Sequence, residues 1–222
     1  ELLSLNFAHC QDITDEGLNS LKIALASLPI LNRLLLHFDG CSQITNEGFV
    51  HIKDTLPLLP NLQHLSLYFF GCTNISNEGL NHLRSGLTQL ASLQYLSLDF
   101  SDNPEITDKG LNHLKDAVAS LVSLRHLSLR FISCSSILDK GLNPLKTELS
   151  LLPSLKYLSL DFRFCKKISV NQTKSCMDTL QSLEHLILAF DYCGSISFQG
   201  LENLKRVLES FRSLQHLSLS FN

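Results

Sequence analysis

The chain has 222 residues, 44% of them hydrophobic, and a formal net charge of −3. That apolar fraction suits a packed globular domain rather than a disordered one, and the near-neutral balance gives no general attraction to nucleic acid or anionic lipid. No apolar run reaches the roughly eighteen residues of a membrane-spanning helix. Because Glu1 opens the chain without a basic, apolar leader, no signal peptide is expected and the sequence reads as a piece of a longer chain.

In chain order the dominant feature is a unit that returns. Its first leucine falls at Leu31, Leu62, Leu93, Leu124, Leu155, Leu183 and Leu214, spaced by 31 residues except for 28 between Leu155 and Leu183. The unit reads roughly L-x-x-L-x-L-x-F-x-x-C-x-x-I-T-D-E-G-L-N-x-L-K. Its first half has period two: Leu96, Leu98 and Phe100 alternate with Tyr95, Ser97 and Asp99, which predicts a strand with one buried side. In the second half Leu80, Leu83, Leu87 and Leu90 form one stripe of an α-helix. Between the two, Thr14, Thr45, Ser76 and Thr107 stand where a helix cap belongs, with acids in the following turn. Pro29, Pro60 and Pro153 end the helix before the next strand.

Such units can bury their leucines only against one another, so the pattern predicts a single solenoid over residues 1–222 with eight strands and seven helices. The short unit lacks three residues near Val170 to Thr173; its strand register should survive, because Leu158, Leu160 and Phe162 are intact, while its helix entry shortens. The last unit stops after its strand and neither end carries a polar cap, so further repeats or neighbouring subunits are expected at both ends.

The stretch Cys10-Gln11-Asp12-Ile13-Thr14-Asp15-Glu16-Gly17-Leu18 and its copies resemble the leucine-rich-repeat family over the whole chain. The likeness is to its long, helix-bearing, ribonuclease-inhibitor-like branch and to the cysteine-containing repeats of F-box-type substrate adaptors. Two extra residues before each cysteine and a phenylalanine in the strand depart from that pattern and are similar to repeats of ciliate protist proteins. The resemblance implies an α/β horseshoe arc, with a parallel sheet on the concave face and helices on the convex face. It also implies a binding function, since the family shares no catalytic residues.

Several columns look chemical. Cys10, Cys41, Cys72, Cys134, Cys165 and Cys193 repeat at one position, with Asn103 in the same slot. Equivalent positions on stacked strands point the same way and do not converge as metal ligands must, so the column reads as structural filling by free thiols in a cytoplasmic, reducing compartment. Cys176 lies outside it. Phe7, Phe38, Phe69, Phe100, Phe131, Phe162, Phe190 and Phe221 share the phase of the buried leucines and read as a core spine. His64, His126, His185 and His216 share an outward strand position without a carboxylate or thiolate to complete a metal site; His51, His82 and His113 read as solvated helix residues. Lys22, Lys53, Arg84, Lys115, Lys146, Lys174 and Lys205 form a basic convex column, balanced by first-turn acids such as Glu16, Glu47 and Glu78.

The concave face carries what remains. One outward row runs Arg33, His64, Tyr95, His126, Tyr157, His185, His216; a serine row (Ser66, Ser97, Ser128, Ser159, Ser218) follows; the third runs His37, Tyr68, Asp99, Arg130, Asp161, Ala189, Ser220. Every repeat forms a similar Ser–His juxtaposition and no oxyanion hole accompanies any of them, so no enzyme, cofactor, metal or small-molecule substrate is expected. Tyr and Arg are enriched at interface hot spots. The expectation is a protein-interaction scaffold whose partner-binding residues are Tyr68, Tyr95, Asp99, His126, Arg130, Tyr157, Asp161 and His185. The alternatives are a structural subunit fixed in a large assembly, or the substrate-recognition segment of a ubiquitin-ligase adaptor.

Overall fold

A computed structural model describes residues 1–149, 152–169, 180–194 and 197–222. Eight five-residue strands, β1 (Leu2–Asn6), β2 (Arg33–His37), β3 (His64–Tyr68), β4 (Tyr95–Asp99), β5 (His126–Arg130), β6 (Tyr157–Asp161), β7 (His185–Ala189) and β8 (His216–Ser220), pair in chain order as one parallel sheet. The helices are α1 (Asp15–Leu25), α2 (Asn46–Thr55), α3 (Asn77–Leu87), α4 (Asp108–Ser120), α5 (Asp139–Leu149) and α6 (Phe198–Ser210). Each of the first five packs beside its sequence neighbour. Helices are about 10 Å across and parallel strands about 4.8 Å apart, so stacking one of each per unit bends the array with the sheet inside. The molecule is a leucine-rich-repeat solenoid. Six helices are described where seven were expected; the seventh, with the expected shortened entry near Val170 to Thr173, lies outside the described residues. The strand register across the short unit is intact, with Leu158 opposite Leu186 and Leu160 opposite Leu188.

The inward leucines and the phenylalanine spine form one continuous core. From Phe7 to Phe221 each spine ring stacks on the next, with centroids 5.4 to 6.0 Å apart. Each such pair contributes about 0.5–1.5 kcal/mol beyond the area it buries. Phe49 of α2 tilts against Phe69 and Phe100 and ties the helix layer to the spine.

Two further columns couple each unit to the next through polar groups 30 to 34 residues apart. At the strand exit, the cysteine thiol donates to the phenylalanine carbonyl of the preceding unit: Cys72 to Phe38 at 3.0 Å, Cys134 to Phe100 at 3.3 Å, Cys165 to Phe131 at 3.0 Å. Asn103 does the same with its amide, donating to Phe69 O at 2.9 Å and also to Phe100 O and Ser101 O. The column is therefore a row of buried donors, which explains why a small polar side chain suits every unit. Burial pushes the thiols of Cys72 and Cys134 up to about 12, and all six described cysteines are free; Cys176 lies outside the described residues.

At the helix starts, the first helical residue reaches into the next unit. Asn46 Oδ1 accepts from Ser76 N at 2.9 Å and Gly79 N at 3.0 Å; Asn77 does likewise for Thr107 and Gly110, and Asp108 for Leu138. A Cβ on Gly79 would fall 2.9 Å from Asn46 Oδ1, so the glycine is what admits the carbonyl. The caps expected from sequence are present, Thr45, Ser76 and Thr107 each accepting from the amide two residues on, while Thr14 makes no such bond. His51, His82 and His113 are half-buried rather than solvated.

Asn103 gives a direct test of the donor column. Its Oδ1 is buried without a partner, so Asn103→Cys should keep the donor while removing an unsatisfied acceptor, and urea unfolding should show stability equal to or above the parent. Asn103→Ala, which leaves Phe69 O without that donor, should lower stability by about 1–3 kcal/mol.

Candidate concave-face interface

All eight residues expected at the interface lie on the outward side of the sheet, in two rows set by the strand register. Residue 64 of β3 pairs with 95, 126, 157, 185 and 216 on successive strands, so the first row is held in line by the backbone ladder. Its rings form a continuous row of contacts, stacked at His64–Tyr95 (5.5 Å), Tyr95–His126 (4.0 Å), His126–Tyr157 (3.9 Å) and His185–His216 (4.4 Å) and tilted by 33° at Tyr157–His185 (5.8 Å). The ring faces are thus occupied by one another, and the row offers edges, hydroxyls and ring nitrogens to anything lying on the sheet. His126, the tightest member, has its pKa lowered from the usual 6.5 to about 4, first by burial and then by the charges of His64 and His185. His64 is lowered by burial and by Arg33, and the Tyr95 hydroxyl is raised by burial and by Tyr68 and Tyr157.

The third row is less symmetrical than its sequence. Tyr68 stacks on His37 at 4.3 Å and its hydroxyl lies 3.4 Å from Ser97 Oγ. Asp99 is only 4% exposed: its Oδ1 accepts from Ser101 N at 2.9 Å, and Oδ2 lies 3.1 Å from Arg130 Nη1. Arg130 stands 4.0 Å from Asp161, whose main partner is another residue: Arg163 donates from Nε and Nη2 to the two Asp161 oxygens at 2.9 and 2.8 Å. That bond raises the Arg163 pKa. The outward row expected to present Asp99, Arg130 and Asp161 to a partner is thereby corrected: both carboxylates are buried, Asp99 against Arg130 and Asp161 clamped by Arg163. Bidentate geometry explains the preference, since a guanidinium fork matches a carboxylate edge. The signal was present in sequence, because Asp161 and Arg163 stand two residues apart and so face the same way if the strand's pleat continues past Asp161.

The serine row between them is low: Ser66 and Ser97 are buried, Ser128 and Ser159 half-buried. At the far end Lys156 Nζ and Glu184 pair at 2.6 Å beside His185, which lowers the Glu184 pKa. Among the described residues no three His, Cys, Asp or Glu side chains group as metal ligands do, and no helix is long and apolar enough to cross a membrane. On the convex column, Lys53 and Lys115 pair with their neighbours Asp54 and Asp116 at 3.5 and 3.2 Å, and Arg84 donates to Asn81. Lys174 lies outside the described residues.

No protein-family model matches the chain, and no curated protein does. Among solved structures it is similar to a chain in the crystal structure of a TLR13–ssRNA13 complex, at 19% identity and a TM-score of 0.38. The match covers 94% of this chain and 32% of that one, so this chain spans about a third of its length. At this identity and superposition the likeness carries no functional argument, and the residues of the concave face must carry it themselves.

The lowered pKa of His126 has a sign that can be worked out. The imidazole is neutral in the fold and takes a proton more readily when unfolded, so stability is full above about 6.5 and declines as pH falls towards about 4. In urea melts from pH 7.5 to 4.5, His126→Phe, which preserves the stack, should lose less stability over that window than the parent.

Proposed function

We propose that this protein is a non-enzymatic interaction scaffold that seats a protein partner on its concave face. The observation that carries the reading is the contrast between the two sides of the same strands. Inward positions repeat Leu, Leu and Phe because packing demands it. Outward positions are free of that demand, yet hold a row of six rings beside a chain of alternating charges, Asp99, Arg130, Asp161 and Arg163. Stacked rings and clamped guanidinium groups are already ordered, so a partner would not have to immobilise them, and that ordering is a main cost of association. Tyr68, Tyr95, Tyr157, His126 and His185 supply amphipathic contact area and Arg130 supplies orientation, held in place by the buried Asp99 and, more distantly, Asp161.

A reducing, cytoplasmic compartment fits the free thiol column, whose buried members are held protonated. The cysteine column and full convex helices also support the longer, ribonuclease-inhibitor-like repeat type.

The test is capture of the native partner from the source cell. Tyr157→Ala should weaken the complex at least tenfold, an interface hot-spot effect of about 1.4 kcal/mol or more. Arg130→Met should do the same while lowering stability by about 1–3 kcal/mol, because the buried Asp99 loses its charged partner and keeps only Ser101 N. Charge reversal of Lys53, Arg84 and Lys115 should leave capture unchanged. If both concave variants fold and hold the partner at full strength while the convex reversal releases it, the interface is on the helices.

A further inference from the structure

Just past the strands, every unit turns through one residue in the left-handed region: His9, Gly40, Gly71, Asp102, Ser133, Phe164 and Tyr192, with φ between 57° and 70°. The backbone amide of each donates into the next unit, as Gly71 N does to Ser101 O and Phe164 N to Asp191 O, so the conformation is a structural requirement of the repeat. Glycine meets it without strain, and small or polar residues meet it tolerably. Two consecutive aromatic residues are the least suited occupants. Phe164 and Tyr192 nevertheless fill the slot in adjacent units, stacked on each other at 4.6 Å and 10°, and 42% and 59% exposed.

The charge pattern departs from the repeat in the same unit. Lys166 and Lys167 follow Cys165, where the other units carry Gln11-Asp12, Ser42-Gln43, Thr73-Asn74, Pro104-Glu105, Ser135-Ser136 and Gly194-Ser195. Both lysines are exposed, and neither has an ion pair among the described residues. Two acids at the neighbouring strand ends are committed elsewhere: Asp161 to Arg163, and Asp191 to the Ser220 hydroxyl and Asn222 N. In a repeat array, whatever folding requires recurs in every unit. An exposed ring pair and an unpaired cationic pair that occur together once, at a strained position, answer to something else.

We propose that Phe164, Tyr192, Lys166 and Lys167 form a second contact surface, at the sheet's exit edge, for an acidic peptide segment bearing an apolar side chain. The rings take the apolar group, and the ammonium groups take flanking carboxylates. Two lysines fit a short acidic segment rather than a nucleic acid, because a phosphate backbone needs a basic track and this turn offers one adjacent pair of cations. The surface is separate from the concave rows and does not depend on them.

The probe is a labelled acidic octapeptide with a central Phe-Leu pair, read by fluorescence anisotropy against a counterpart with every acid replaced by lysine and against an eight-nucleotide oligothymidine. The acidic peptide should bind saturably and at least tenfold more tightly than either control. Lys166→Glu with Lys167→Glu should abolish binding, and Tyr157→Ala should not change it. Phe164→Gly with Tyr192→Gly should also abolish binding while leaving the melting temperature unchanged or raised, since glycine already serves this turn at Gly40 and Gly71. The proposal is overturned if the acidic peptide binds no better than its basic counterpart, if the oligonucleotide binds more tightly, or if the charge reversal leaves peptide binding intact. A sharp fall in melting temperature in the double-glycine variant overturns it too, because the ring pair would then be structural.

Discussion

No unit of this chain can bury its own leucines. A five-residue strand and one helix enclose nothing, so the inward Leu and Phe of each unit are fully covered only when the strands and helices of the units before and after pack on them. That dependence fixes the strand register, since a slip of one residue would turn a whole inward series towards solvent. The outward rows inherit the alignment. Tyr95, His126 and Tyr157 stack at about 4 Å because Leu96, Leu127 and Leu158 are locked together on the other side of the sheet. The concave surface is therefore a consequence of the core, and its geometry is as rigid as the packing beneath it.

The polar columns do a related task at the unit boundaries. The thiol donors and the helix-start Asn and Asp acceptors each satisfy a backbone group of a neighbouring unit at the strand exit and the helix entry, where regular hydrogen bonding lapses. Their repetition argues against reading them as reactive or ligating groups. The same reasoning directs attention to what does not repeat: the alternating charges of the third row, Arg163, the paired lysines and the Phe164–Tyr192 stack. In an array of near-identical units, departures from the column are where binding chemistry has room to act.

Much of this was legible in the sequence. The period of 31, the change from alternation to helical spacing and the phase of the phenylalanine column lead to the parallel sheet, the core and the two concave rows without further information. Three features were hidden for definite reasons. The reach of Asn46 or Asp108 into the next helix joins residues 30 or more apart in side-chain detail that a periodic pattern does not encode. The burial of Asp99 and Asp161 and the clamp of Arg163 on Asp161 are side-chain arrangements that an alternating pattern does not encode. The left-handed column escaped notice because glycine marks it in only two units, at Gly40 and Gly71.

The most direct measurement of the central claim is hydroxyl-radical footprinting of the protein with and without its native partner, read residue by residue. A partner seated on the concave face should lower oxidation of Tyr68, Tyr95, His126, Tyr157 and His185 several-fold, while the exposed Ile23 and Leu201 of the helix layer keep their free-state rates. Protection of Ile23, His82 or Leu201 with the concave rings left fully reactive would contradict the account.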